Sequence, residues 1–227
     1  GSLAYGLGYA FAQDHGCVLA DQVLMVRSER AQFFGGGEDD LYLHQDIGWK
    51  ALGVYAQAEA GWFELSPQLQ DALVGYAAGY NRWVAEGDAP DACAEAPWLR
   101  DVSHVDLLAY YLAFGLNGSG GVFVDAVGSA TPPNAPGGPV APADHILERL
   151  HQRVIEPEFG SNGWAIGRDR TAASDGMLLS NTHFPAEGER QWHESHLTIP
   201  GELDVYGTSL MGVPIINIGF NAHVAWT

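Results

Sequence analysis

Apolar side chains recur every three or four residues along the first half of the chain, which is the spacing of one face of an α-helix. We expect these faces to form a core, and we assign them no chemistry. The stripes are Leu69, Leu73, Tyr76, Tyr80 and Trp83 in one predicted helix, Ile47, Ala51, Val54, Ala58 and Trp62 in a second, and Leu107, Leu108, Tyr111, Leu112 and Phe114 in a third.

Start and stop signals flank these stripes. Ser66 suits an N-cap and Pro67 suits the first helical position after it. Ser103 and Asp106 have the spacing of a capping box, with Asp in the acidic place. A further helix is predicted over residues 17–34, where three consecutive glycines follow.

The pattern changes after residue 116. Residues 117–143 hold six glycines and five prolines, which predicts a loop or linker, and a short helical pattern follows at 146–154. From residue 161 apolar residues alternate with polar ones, which is typical of β-strands. The expected strand residues are Trp164, Ile166, Met177, Leu178, Leu179, Leu197, Ile199, Val205, Leu210, the run 214–218 and the segment 224–226.

This order predicts three parts: a helical part over 1–116, a Gly/Pro-rich connector over 117–160, and strands over 161–227. Helices followed by strands indicate the α+β class, with helices packed on sheet. Because the chain stops inside an apparent strand at Thr227, we expect it to be a fragment of a longer polypeptide.

Composition and charge reduce the number of function classes that the chain could have. The chain has 227 residues and 47% hydrophobic residues, which excludes global disorder. Its 28 acidic and 10 basic residues give a net charge of −18. Without a cluster of Lys and Arg, neither a nucleic-acid partner nor an anionic membrane surface is expected. No apolar run reaches about eighteen residues, and no signal-peptide pattern is visible.

Two cysteines, Cys17 and Cys93, are too few for a disulfide scaffold or a Cys-rich zinc site. The residues alone leave two alternatives open, a single disulfide in an oxidising compartment or two buried thiols. The pair His193 and His196 is no better as a metal site, because residues three apart in a strand point to opposite faces.

Gly160-Ser161 stands between the connector and the first predicted strand. A serine after a permissive glycine can attack the preceding carbonyl, and hydrolysis of the resulting ester frees the serine as a new N-terminus. Its α-amine, with a pKa of about 7.7–8.0, can then serve as the base for its own hydroxyl. The simpler alternative is that Gly160-Ser161 forms an ordinary turn.

Four motifs decide between these alternatives. Residues 160–167, Gly-Ser-Asn-Gly-Trp-Ala-Ile-Gly, resemble the start of the β chain in the penicillin acylase family of N-terminal-nucleophile hydrolases. Residues 9–30 are similar to that family's α-chain opening, with Val-Arg-Ser-Glu-Arg at 26–30 where the family usually has Gly in place of Ser28. Residues 179–185 and 218–227 resemble its later strands. His183-Phe184-Pro185 is typical of the aculeacin A and acyl-homoserine lactone acylase branch.

The resemblance implies an αββα four-layer sandwich, incomplete here, made of an α and a β chain that pair after the precursor cleaves itself at Gly160-Ser161. It implies that Ser161 is the nucleophile and that His183 lines and orders the site. Phe184 is expected at the mouth of the acyl pocket, which would make it a substrate-binding residue. The family's oxyanion-hole donors are expected after Thr227.

The resemblance also implies a small N-acyl substrate, with aliphatic acyl groups favoured over the aromatic ones of penicillin-type acylases. No cofactor is expected. Calcium binds some family members, but we identify no ligands for it here. A periplasmic or secreted location is implied, and this favours pairing of Cys17 with Cys93. The competing hypothesis is a non-catalytic scaffold that keeps only the fold.

Overall fold

The structure is a computed structural model that describes residues 1–133, 136, 143–155, 160–173 and 175–227. It divides into two compact units, Gly1–Pro157 and Glu158–Thr227. In the described part of the first unit the helices are α1 (Ser2–Arg27), α2 (Arg30–Phe34), α3 (Leu41–Leu52), α4 (Val54–Gly61), α5 (Pro67–Glu86), α6 (His104–Leu116), α7 (Val124–Gly128) and α8 (Asp144–Ile155). Short 3₁₀ turns lie at Glu38–Asp40, Trp62–Glu64 and Gly120–Phe123.

Helices α1 and α5 form the centre of this unit. They approach so closely that a β carbon on Gly79 would lie 2.0 Å from the Tyr5 carbonyl oxygen, and one on Gly8 would lie 2.2 Å from that of Tyr76. Only glycine permits backbones to come this close. The predicted α5 stripe is confirmed, because four of its five members are buried, namely Leu73, Tyr76, Tyr80 and Trp83.

Both predicted helix starts are confirmed. The Ser66 hydroxyl accepts a hydrogen bond from the Leu69 N–H at 3.3 Å, and Pro67 opens α5. At the start of α6, the Ser103 hydroxyl accepts the Asp106 N–H while the Asp106 carboxylate accepts the Ser103 N–H. This reciprocal capping box satisfies donors that the first helical turn would otherwise leave unpaired.

Two predicted helices are interrupted where the sequence pattern continues. The helix expected over 17–34 begins at Ser2, ends at Arg27 and resumes as α2, because Ser28 adopts a left-handed conformation with φ 57° and ψ 49°. Gly53, with φ 68°, likewise separates α3 from α4. The stripe through Ile47 and Ala51 is therefore wrong as a continuous core face, and both residues are exposed.

Parts of the other predictions also change. Leu107 and Leu108 of α6 are buried, but Leu112 is exposed. The connector is not loop throughout, because it contains the turn Gly120–Phe123 and helix α7. The helical pattern at 146–154 corresponds to α8. Connector residues 134–135, 137–142 and 156–159 lie outside the described residues.

The second unit is built of antiparallel strands. Strand β1 (Gly160–Ile166) pairs with β2 (Met177–His183), and a four-stranded sheet has the order β3 (Trp192–Ile199), β4 (Leu203–Leu210), β5 (Ile218–Phe220) and β6 (Ala225–Trp226). The prediction of a strand over the apolar run 214–218 is wrong except for its last residue. The preceding Asn217 instead accepts the Leu210 N–H through its side chain.

The described parts of both units together have the mixed helical and antiparallel-sheet content of the predicted α+β class. Among these residues no single helix is long and apolar enough to cross a membrane. The bent pair His104–Leu116 and Gly120–Gly128, with 88° between its halves, satisfies that length and composition criterion only when taken together.

Candidate active site

The β1–β2 ladder fixes the surroundings of Ser161. Its register places Gly160 opposite His183 and Ser161 opposite Thr182. Because side chains alternate across a strand pair, Ser161, Gly163, Ser180 and Thr182 share one face, which we call the serine face. Gly160, Asn162, Asn181 and His183 share the other face, which we call the histidine face.

The Ser161 hydroxyl lies beside the peptide group that precedes it. Its Oγ donates a hydrogen bond to the Gly160 carbonyl oxygen at 2.6 Å, and both residues are exposed. This contact holds the hydroxyl next to the carbonyl that an N-to-O acyl shift would attack. The local geometry is therefore compatible with the predicted cleavage site.

His183 ends β2 on the other side of the same peptide. Its Nε2 lies 3.0 Å from the Asn162 amide nitrogen and 3.2 Å from that of Asn181. A β carbon on Gly160 would lie 3.7 Å from the His183 Nδ1. The structure thus brings His183 to Gly160, but alternation places the ring on the face away from the Ser161 hydroxyl.

Phe184 is the first residue after β2. It is half-buried, and its ring centroid lies 5.4 Å from that of Trp192, with the planes tilted by 49°. An aromatic pair thus borders the end of the strand that carries His183. The contact does not test whether Phe184 meets an acyl chain, so its substrate role stays a prediction.

Other polar residues near Ser161 were not predicted from the sequence. On the serine face, the Ser180 Oγ lies 2.7 Å from the Thr227 Oγ1, so the chain after β6 reaches this face. On the histidine face, Asn162 and Asn181 both contact His183. The alternation of residues in β1 and β2 could have placed these asparagines together once the register was known, but the register depends on pairing that no local pattern specifies.

The charged motif at 26–30 forms ion pairs inside the helical unit. Arg27 contacts the Asp106 carboxylate through two nitrogens, each at 2.6 Å. Arg30 pairs with Asp21, and Arg100 pairs with Glu29. Burial raises the pKa of Asp106, but hydrogen bonds from Arg27 and Ser103 lower it more, so its pKa is below the usual value. This motif therefore ties α1 to its neighbours within the helical unit.

The two cysteines of the helical unit are joined. Cys17 in α1 and Cys93, in the segment after α5, form a disulfide with their Cα atoms 5.8 Å apart and a sequence separation of 76. Cys93 is 1% exposed. The bond connects the first helix to a segment outside regular secondary structure, which limits the freedom of that segment.

The two histidines of β3 have different surroundings. His193 is buried, whereas His196 is exposed and has its Nε2 2.6 Å from a carboxylate oxygen of Asp204. Three residues apart in a strand, they point to opposite faces, as the sequence predicted.

Comparison with known proteins shows that this chain is similar to acylases over its whole length. The family model for penicillin amidase matches residues 1–227. Acyl-homoserine lactone acylase PvdQ of Pseudomonas fluorescens is 39% identical over 233 residues, covering 99% of this chain and 30% of that protein. PvdQ of Pseudomonas syringae pv. syringae is 40% identical over 238 residues with the same coverage.

A third relative has a different named substrate. Aculeacin-A acylase of Actinoplanes utahensis is 31% identical over 240 residues, covering 100% of this chain and 30% of its own length. The chain therefore spans about 30% of the length of these relatives. All three are acylases by name.

Proposed function

This chain belongs to the penicillin amidase family, and from that premise we propose that it is part of an N-terminal-nucleophile amidohydrolase whose precursor cleaves itself at Gly160-Ser161. The observation that carries the proposal is the 2.6 Å contact between the Ser161 Oγ and the Gly160 carbonyl oxygen, at the first position of a strand pair. The family motifs around it supply the chemical context.

In the first reaction, the Ser161 Oγ attacks the Gly160 carbonyl carbon and the hydroxyl proton passes to the departing nitrogen. The C–N bond breaks, which leaves an ester between Gly160 and the Ser161 side chain. Water then hydrolyses the ester, giving a carboxylate on Gly160 and a free α-amine on Ser161. Cleavage thus creates the base that the second reaction needs.

In the second reaction, that α-amine takes the proton of the Ser161 hydroxyl as the oxygen attacks a substrate amide. An amine pKa of about 7.7–8.0 leaves a useful neutral fraction near pH 7. The substrate's amine leaves with a proton, an acyl-enzyme forms, and water releases the acid. His183 is placed beside this end of β1, and no step requires a cofactor.

The rest of the proposal follows the family. The complete protein would form the four-layer αββα sandwich from paired α and β chains, with oxyanion-hole donors in the part after Thr227. Export to the periplasm or outside the cell would fit the Cys17–Cys93 disulfide, since disulfides persist in oxidising compartments.

For the substrate we propose an N-acyl compound with an aliphatic acyl chain. Relatives named for acyl-homoserine lactones and for aculeacin A support this class, as does the His183-Phe184-Pro185 motif. Phe184, beside Trp192 at the end of β2, would border the acyl chain. Each buried methylene is worth about 0.8 kcal/mol, or up to roughly fourfold in kcat/KM.

The test uses the full-length enzyme and p-nitroanilides of increasing acyl length, with penicillin G alongside and the Ser161→Ala variant as the control. We expect kcat/KM to rise steeply with chain length until the pocket is full, and the variant to be inactive. A preference for phenylacetyl amides would overturn the substrate class. Full-length protein without activity on any amide would favour the non-catalytic scaffold.

A further inference from the structure

The histidine face carries a cluster of three polar side chains that the proposed reaction does not use. The His183 Nε2 lies within hydrogen-bond distance of two side-chain amide nitrogens, at 3.0 Å from Asn162 and 3.2 Å from Asn181. Asn162 and Asn181 are direct cross-strand partners, and His183 is opposite Gly160, two residues further along the ladder. The cluster therefore surrounds the end of the ladder that contains the peptide to be cleaved.

The chemistry of these groups assigns the hydrogen of the ring. A side-chain amide nitrogen only donates, whereas a histidine ring nitrogen without a hydrogen accepts. Two amide donors beside Nε2 favour the tautomer in which Nε2 accepts and the ring hydrogen is on Nδ1. Nδ1 is the ring atom that faces Gly160, 3.7 Å from where a β carbon would stand.

We infer that Asn162 and Asn181 are positioning residues, which hold the His183 ring as the Nδ1–H tautomer against Gly160 and so fix the first peptide of β1 for attack by Ser161. The inference rests on the proposed function. Asn162 directly follows the nucleophile in sequence, so its contact with His183 joins β1, which carries the cleavage site, to β2.

Holding this peptide in place matters because the contact between the Ser161 hydroxyl and the Gly160 carbonyl lies at the end of a strand. On the serine face, the Ser161 Oγ is 2.6 Å from the Gly160 carbonyl oxygen. A displacement of about 1 Å at such a contact can cost orders of magnitude in rate, since the reaction depends on a near-attack arrangement. On the other face the His183 ring lies beside the same residue, with its Nδ1 3.7 Å from where a β carbon on Gly160 would stand, so holding the ring there restrains that residue.

The test follows self-cleavage of the freshly made full-length precursor by gel and intact mass. Asn162→Ala and Asn181→Ala should each slow cleavage about two- to tenfold, the usual effect of one lost hydrogen bond. Asn162→Leu and Asn181→Leu nearly keep the size but remove the N–H donor without offering an acceptor in its place, and they should slow cleavage similarly. Thr198→Ala, an exposed strand position in β3, is the matched control and should cleave at the wild-type rate.

A second series separates positioning from simple support of the strand pair. In a His183→Ala background the asparagine substitutions should have no further effect, because the ring they hold is absent. An equal slowing in that background, or Leu variants that cleave at the wild-type rate, would overturn the inference. If the alanine variants fail to fold, the Leu variants, which are closer in size to asparagine, decide. A wild-type precursor that is never cut at 160–161 would instead refute the proposed function itself.

Discussion

Removal of the Asp106 carboxylate should strongly destabilise the helical unit. The carboxylate is completely buried, and it accepts hydrogen bonds from Arg27, from the Ser103 N–H and hydroxyl, and from the Tyr55 hydroxyl. The Arg27 side chain is itself only 21% exposed. Asp106→Ala would therefore leave a largely buried guanidinium without its partner and remove half of the capping box.

The expected cost is about 3–5 kcal/mol for the broken ion pair, to which the lost cap adds about 1 kcal/mol. Asp106→Asn keeps the size and part of the hydrogen bonding, so it should cost less, on the order of 1–3 kcal/mol. Asp101→Ala is the matched control. It removes an exposed carboxylate five residues away and should change stability by no more than about 0.5 kcal/mol.

Hydrogen exchange, measured by mass spectrometry on the uncut Ser161→Ala precursor, reports the local stability of the helical unit. A loss of about 3 kcal/mol corresponds to roughly a hundredfold faster exchange in peptides covering residues 104–116, because each 1.4 kcal/mol is a factor of ten. Exchange that is equal in Asp106→Ala and Asp101→Ala would refute the assignment of this stability to the buried pair.

The same carboxylate predicts a pH dependence. Its folded pKa lies below the unfolded value of 3.8, so the unfolded state binds the proton more readily. The stabilisation is therefore complete above the unfolded pKa and is lost as the pH falls through the folded one. The difference between wild type and Asp106→Asn should be constant from about pH 5 to 7, narrowing only below about pH 4.

Three further predictions concern Ser28, the Cys17–Cys93 disulfide and Ser161. Ser28→Gly should stabilise the helical unit by about 0.5–1 kcal/mol, since the left-handed conformation costs a serine about 1–2 kcal/mol and costs glycine less. An unchanged or lower melting temperature would contradict this. Cys17 and Cys93 should resist alkylation in the denatured, non-reduced full-length protein, and their pairing is worth about 4–5 kcal/mol by chain entropy; two alkylated thiols would show that the bond is absent. Ser161→Ala should stay uncut while Ser161→Cys still processes, because a thiolate is also a competent nucleophile; cleavage of the alanine variant would point to an external protease.

Helix starts could be predicted because they depend on a few neighbouring residues. Ser66, Pro67, Ser103 and Asp106 act within one turn, and the structure confirms each of them. The breaks at Ser28 and Gly53 were missed because a single left-handed residue interrupts a helix without altering the spacing of the apolar positions around it. Position 28 also lacks the glycine that usually signals such a break.

In the candidate site, too, only the features that depend on neighbouring residues could be predicted. Gly160-Ser161 and His183 came from motifs, which are local. The face that each side chain occupies depends on the register of β1 with β2, and one residue of slip would exchange the faces. The contacts of Asn162 and Asn181 with His183, and of Ser180 with Thr227, depend on how the strands pair and could not be read from either strand alone.

The central claim is that Ser161 becomes a free N-terminus and the nucleophile. Intact mass spectrometry with N-terminal sequencing of the purified, active full-length protein tests it most directly. We predict two chains, one of which begins with Ser161-Asn162-Gly163, and after brief exposure to an acyl-chain electrophile this chain should carry the added mass on residue 161. An active protein that remains a single chain through Gly160-Ser161 would contradict the claim.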